Sequence, residues 1–212
     1  MYRTLVLLIS LLLVYGCAST PKLSQVSDNY VVTIPGVSWK LEFPTGDLVP
    51  IINDERPGWA YYGLAHKSMA RALEISKRGG DLKAAAKEIG DAMDKILNIS
   101  FWIDRAEKCN NDAQKCRDNI WKEKKAQFPQ MKNPLLSQEG EMYLSEFSLE
   151  SKTTKGDFVL THQMYVNLVR DGIWIDFHLS KASYQEQHRQ LFIDFLKSIR
   201  FVPIAGGRDL PR

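Results

Sequence analysis

The sequence predicts an α+β domain, an antiparallel sheet flanked by helices, and three observations predict it. Several short segments alternate apolar and polar residues with period two. Asp171-Gly172 sits between two long alternating runs, which marks a two-residue hairpin turn. Two other segments repeat their apolar residues every three or four positions, as amphipathic helices do. Antiparallel strands broken by only two or three helices give helices packed on a sheet rather than a doubly wound parallel core.

In chain order, "NYVVTIP" and "SWKLEFP" read as two early strands, rich in β-branched and aromatic residues and punctuated by Pro35-Gly36 and by Pro44 with Gly46. Between Tyr61 and Arg78 the pattern is ambiguous, and "RALEIS" is read as a strand. In "DLKAAAKEIGDAMDKIL" the residues Leu82, Ala85, Ile89, Met93 and Ile96 form a helical stripe behind an Asp81 N-cap. "NISFWID" then puts Ile99, Phe101 and Ile103 on one strand face, and "EMYLSEFSLE" groups Tyr143, Ser145, Phe147 and Leu149. A short helix from Asp118 to about Gln127 is stopped by Pro129. Around Asp171-Gly172 the register pairs Leu168 with Ile175, Val166 with Phe177 and Met164 with Leu179 on the apolar side. The opposite side carries Val169 with Trp174, Asn167 with Asp176, and Tyr165 with His178. The final helix, capped near Ser183, aligns Tyr184, His188, Leu191, Phe192, Phe195, Leu196 and Ile199, with His188 at the edge of the core.

The N-terminus carries an address. Arg3 precedes an apolar segment from Leu5 to Val14, and then comes "YGCASTP". Ten residues are too few for a bilayer core, which takes about 20 residues of helix. Residues 1–16 therefore read as a signal peptide. "VYGC" resembles a bacterial lipobox, which implies cleavage before Cys17 and lipidation of its thiol, although Tyr15 is bulkier than that motif usually takes. An ordinary secretory signal with a chance cysteine is the alternative. More than one acyl chain is needed for stable anchoring, and the three chains of a mature bacterial lipoprotein supply it. Ala18 after the cysteine, by analogy with enterobacterial sorting, points to the periplasmic leaflet of the outer membrane. Residues 17–29 then form a lipidated, flexible tether, 30–202 one globular domain, and 203–212 a flexible tail.

Cys109 and Cys116 in "EKCNNDAQKC" are read as a disulfide in an exported chain. A continuous helix would hold their Cα atoms about 10.5 Å apart, beyond the reach of about 7 Å, so a turn must intervene, and Asn110-Asn111-Asp112 supplies it. A two-thiolate metal site is the rival reading, but no histidine lies nearby in sequence.

With 28 Lys and Arg against 25 Asp and Glu, the charge is too nearly balanced to drive nucleic-acid binding. The sequence contains no G-x-S-x-G, H-E-x-x-H, C-x-x-C or phosphate-binding glycine loop, so no cofactor, metal or catalytic residue is assigned. One constellation remains: Trp174, Asp176 and His178 alternate onto one strand face opposite Tyr165 and Asn167. A carboxylate near an imidazole beside aromatic walls suits a ligand or partner surface, or an acid–base or metal site, while mutual satisfaction of these groups on a covered sheet face is the structural alternative. The five tryptophans read as packing residues rather than a sugar platform.

"SWKLEFP", "ISFWID", "DGIWIDFHLSK" and "FLKSIRF" together resemble the PsbP-like fold, an α/β/α sandwich shared by a photosystem extrinsic subunit and by DcrB-like bacterial envelope lipoproteins. "SFWIDRAEKCNNDAQKCRDNIWK" is also similar to small proteobacterial envelope proteins. The resemblance spans about residues 38–202, with the helical segment 81–97 as an insertion. It implies an accessory or docking role with an envelope protein partner, and it transfers no functional residue.

Overall fold

The computed structural model describes residues 20–81, 83, 84, 86, 87, 89, 97–152 and 157–204. The signal peptide, Cys17 and residues 205–212 of the tail lie outside the described residues, as do Leu82, Ala85, Met93 and Ile96 of the expected helix. What is described of that helix agrees with the sequence: residues 83, 84, 86, 87 and 89 are helical, and Asp81 Oδ1 accepts from the Lys83 and Ala84 amides at 2.8 and 3.3 Å.

The fold is α+β, built on two antiparallel sheets. The small sheet has β1 (Lys22–Val26), β2 (Asn29–Thr33), β3 (Trp39–Pro44) and β11 (Arg200–Pro203), in the order β1-β2-β3-β11. The large sheet joins β4 (Leu48–Arg56), β5 (Trp59–His66), β6 (Asn98–Arg105), β7 (Lys132–Glu139), β8 (Met142–Lys152), β9 (Phe158–Arg170) and β10 (Ile173–Lys181), in the order β4-β5-β6-β10-β9-β8-β7. Besides the helical residues between 83 and 89, three helices accompany them with both ends described: α1 (Lys67–Lys77), α2 (Ala113–Gln127) and α3 (Arg189–Ser198).

The β9–β10 hairpin takes the register that its apolar pattern specifies, with Leu168 opposite Ile175, Val166 opposite Phe177 and Met164 opposite Leu179. Asp171 and Gly172 both have positive φ, 50° and 73°, so the turn follows the right-handed twist of the strands. The Trp39 indole donates to Asp171 Oδ2 at 2.8 Å and ties the small sheet to this turn.

One hydrophobic cluster joins both sheets and α3. Its centre is aromatic: Phe43 of β3 meets Phe101 of β6 at 5.6 Å and Phe195 of α3 at 5.8 Å, both edge-on. Burying each such side chain stabilises the fold by about 1.5–3 kcal/mol. The inner face of the large sheet is therefore covered by the small sheet and α3. Among the described residues, its outer face is covered in part by α2, whose Trp121 and neighbouring Phe128 pack on Phe147 of β8 at 6.1 and 5.8 Å.

Several expectations need correction. "RALEIS" is helical, lying within α1, because Ser68, Ala72 and Ile75 recur at helical spacing and Ser68 and Ala72 are buried. The His66 side chain caps α1 by accepting from the Ser68 amide, and Gly79, at φ +69°, lets the Gly80 amide close on the Ile75 carbonyl. The proposed tether 17–29 loses residues 22–26 to β1, which pairs with β2 from Lys22↔Thr33 to Val26↔Asn29. Pro203 of the expected tail belongs to β11, and the Ile204 amide donates to the Ser38 carbonyl. The helix expected from Asp118 starts at Ala113, where Asp112 caps it by accepting from the Lys115 amide at 3.1 Å. The last helix starts at Arg189 after a 3-10 turn, Glu186–His188, capped by Gln185. Tyr184 thus precedes it, and Ser183, at φ 52°, is not its cap. His188 lies at the core edge, 9% exposed.

Candidate functional site

The outer face of the large sheet brings the sequence-predicted residues together. Alternation along β10 turns Trp174, Asp176 and His178 outward, and β9 sets Asn167 opposite Asp176 and Tyr165 opposite His178. On the other side of β10, β6 places Trp102 opposite Asp176 and Ser100 opposite His178. β5 continues the row with Tyr61 opposite Trp102.

Helix α2 packs on β8 and β9. The 3-10 turn before α2, Ala106–Cys109, places Cys109 at disulfide-bonding distance from Cys116 in the first turn of α2, with Cα atoms 5.1 Å apart. Asn110 and Asn111, both at φ 56°, make the turn between them. The two sulfurs and Ala106 are buried against Val169 and Trp174, so this crosslink pins the start of α2 beside the predicted site.

What the helix leaves uncovered is an open groove of about 520 Å³, lined by Trp102, Tyr61, Trp174, Tyr165, Asp176 and His178, with Lys108, Glu123 and Lys124 at its sides. Trp102 is backed by Trp59, stacked at 4.6 Å and 7°, and Arg56 lies 4.8 Å above the Trp59 ring. His178 stacks on Tyr165 at 4.3 Å, and the Lys124 ammonium stands 5.1 Å from the Tyr165 ring centre. Asn167, Trp59 and Gln163 are the supporting residues rather than lining ones.

The polar groups in and beneath this groove divide into paired and unpaired ones. The Trp174 indole donates to Asn167 Oδ1 at 2.9 Å. His178 Nε2 and Gln163 Oε1 are 2.6 Å apart. Burial, reinforced by the Lys124 charge, pulls His178 down to about 4, so at neutral pH the ring is uncharged. Its Nε2–H is engaged with Gln163, which leaves Nδ1 as an acceptor. By contrast, Ser145 Oγ, Asn167 Nδ2 and Asp176 Oδ1 are buried without a hydrogen-bond partner. All three lie on this one face, on β8, β9 and β10. Burial pushes Asp176 up to about 8, against the opposing pull of Lys124, so its carboxyl is protonated at neutral pH. Burial also raises Tyr165, with a further contribution from Asp176.

A second polar cluster escaped the sequence reading. On the inner face of the large sheet, Glu146 is 1% exposed and receives two hydrogen bonds from Arg189 of α3, at 2.7 and 3.0 Å. His162 Nε2 is 3.2 Å from Glu146, and its Nδ1 is 3.0 Å from Ser148 Oγ. Tyr184 stacks on the imidazole at 4.2 Å. Burial alone would raise Glu146, but hydrogen bonds from His162 and Arg189 and the guanidinium charge outweigh it, holding the carboxyl below its usual range. A small cavity of about 190 Å³ lies beside these groups. The available signal was the run Leu144, Glu146, Ser148, two polar residues continuing the apolar face of an alternating strand.

Among the described residues, no three His, Cys, Asp or Glu side chains cluster closely enough to hold a metal ion. Among the same residues, no helix is long and apolar enough to cross a membrane.

These features define an α+β protein with one open, aromatic and partly unsatisfied groove. No family model matches the chain, and no curated protein matches it. Among solved structures, it is similar to PA94, a Pseudomonas aeruginosa protein of unknown function, at 9% identity over 91% of this chain and 97% of that one. The TM-score is 0.25, too low for the likeness to carry an argument.

Proposed function

We propose that the chain is a lipid-anchored bacterial envelope protein, held by Cys17 to the periplasmic leaflet of the outer membrane, that acts as a binding or assembly module through the Trp174–Asp176–His178 groove. The observation that carries the binding role is the groove itself: a concave surface with an aromatic floor and an acid whose inner oxygen has no partner in the protein. Protein interiors satisfy nearly all their polar groups, and of the three orphans among the described residues Asp176 belongs to the groove lining, which supports a site completed by a bound molecule. The layering of sheet and helices, with α2 on one face and α3 with the small sheet on the other, supports a PsbP-like assignment of the fold. Attachment rests on the lipobox-like "VYGC". Because β1 begins at Lys22, five residues beyond Cys17, an acylated terminus holds the domain within about 18 Å of the bilayer surface.

A second reading is an acid–base enzyme. It is favoured by the opposite displacement of Asp176, to about 8, and His178, to about 4, in one groove. In that reading the protonated carboxyl donates and the imidazole Nδ1 accepts.

Native mass spectrometry of protein extracted from membranes tests the proposal. The diacylglyceryl adduct is expected on Cys17, together with a bound molecule or partner that is lost in Trp102→Ala. An unmodified Cys17 removes the anchor, and identical bound species in wild type and Trp102→Ala remove the groove as the binding surface.

A further inference from the structure

The groove's chemistry narrows what it can hold. Three carboxyl groups, Asp104, Glu123 and Asp176, face two ammonium groups, Lys108 and Lys124. Lys108 is already paired with Asp104 at 2.7 Å, and Lys124 donates to Gln127 Oε1 at 3.2 Å. Among the described residues no cation is in hydrogen-bond contact with Asp176, whose Oδ1 is buried without a donor while the residue lines the groove. Around it stand the ring faces of Trp102, Tyr61 and Trp174. A carboxylate framed by aromatic faces is complementary to an organic cation, which gains both the charge pair and attraction to the ring quadrupoles. The protein supplies a precedent inside the same groove: the Lys124 ammonium lies over the Tyr165 ring at 5.1 Å.

We infer that the groove is a receptor site for an organic ammonium ion, with Asp176 as its counter-charge and Trp102, Tyr61 and Trp174 as its aromatic walls. The inference rests on the binding role proposed above and names the ligand class for that site. A bulky alkylammonium fits a groove of about 520 Å³. Ligand uptake is coupled to proton release, because the carboxyl that is protonated in the empty groove must ionise to pair with the cation. The other titratable groups facing Asp176 are His178 on β10, Asp104 on β6, Tyr61 on β5 and Tyr165 on β9. Lys108, and Glu123 and Lys124 of α2, complete the set. Of these, His178 is neutral from about pH 5 upward, so Asp176 dominates the profile near pH 8.

Choline and its uncharged isostere 3,3-dimethylbutan-1-ol, titrated into the intact chain and followed by tryptophan emission, test this. Choline should saturate, with the isostere weaker by about tenfold or more. Choline affinity should rise between pH 6 and pH 9 and vanish in Asp176→Asn. Equal affinity for the two probes, or no saturable choline binding at pH 9, overturns the ligand class. Saturable binding of the uncharged probe alone overturns it too while leaving the groove itself as a binding site, so the two proposals fail separately.

Discussion

The two faces of the large sheet each carry a carboxylate and an imidazole, and the surroundings give the two pairs opposite characters. On the inner face, Glu146 is closed over by α3 and receives Arg189 and His162, so burial and ionisation coexist. On the outer face, α2 packs on β8 and β9, and Asp176 is desolvated without a partner for Oδ1 among the described residues. The result is a carboxyl held below its usual range in one place and one pushed up to about 8 in the other. The difference teaches that residue type does not decide whether such a pair is structural or available; the number of donors that the fold brings to the carboxylate does.

The comparison breaks most severely at Arg189. Arg189→Met leaves Glu146 buried without its bidentate partner and should cost about 3 kcal/mol in urea unfolding at pH 7. A loss under about 0.5 kcal/mol would mean that the inner cluster is not a structural ion pair. Next in size is the link that fixes the cover over the outer face. Replacing Cys109 and Cys116 by Ser should cost about 2–3 kcal/mol, read as a lower urea midpoint, and should shift the Trp174 emission because its packing against that link is lost.

The third effect has the opposite sign. Asp176→Asn should stabilise the protein at pH 9 and hardly at all near pH 4, with a difference that grows by up to about 1.4 kcal/mol per pH unit between those values. The unfolded chain ionises this carboxyl near about pH 4, while the folded protein keeps its proton until about pH 8. Folding therefore takes up a proton between those values, and the wild-type protein loses stability as pH rises through that window. Glu146 runs the other way, since its folded value lies below the unfolded one. Its contribution is present above the ordinary carboxylate range and is lost as pH falls through the folded value. Equal effects of Asp176→Asn at pH 4 and pH 9 would erase the contrast between the two faces.

Much of the outer face was legible because strand alternation and one turn determine it. Asp171-Gly172 fixes the hairpin register, and that register alone puts Trp174, Asp176 and His178 beside Tyr165 and Asn167. The sequence does not say over which strands α2 lies, and its placement on β8 and β9 brings Ile120, Glu123 and Lys124 to one side of the groove. The inner cluster was illegible for a different reason. Glu146 and Arg189 are 43 residues apart, and only the docking of α3 makes them neighbours. "RALEIS" misled because its six residues fit both periods, and the deciding residue, Ser68, lies outside them. β4 escaped because it is an edge strand with four consecutive exposed residues, Pro50–Asn53, and therefore little alternation to read.

Asp176 is an acid whose Oδ1 has no donor among the described residues. Carbon-13 NMR of the aspartate side-chain carboxyls across pH 3 to pH 10, with Asp176 assigned by its loss in Asp176→Asn, measures this directly. A titration midpoint near pH 8 is the predicted result. A midpoint near the ordinary aspartate value of about 4 would contradict it, because the carboxylate would then already have the donors that the groove is held to lack.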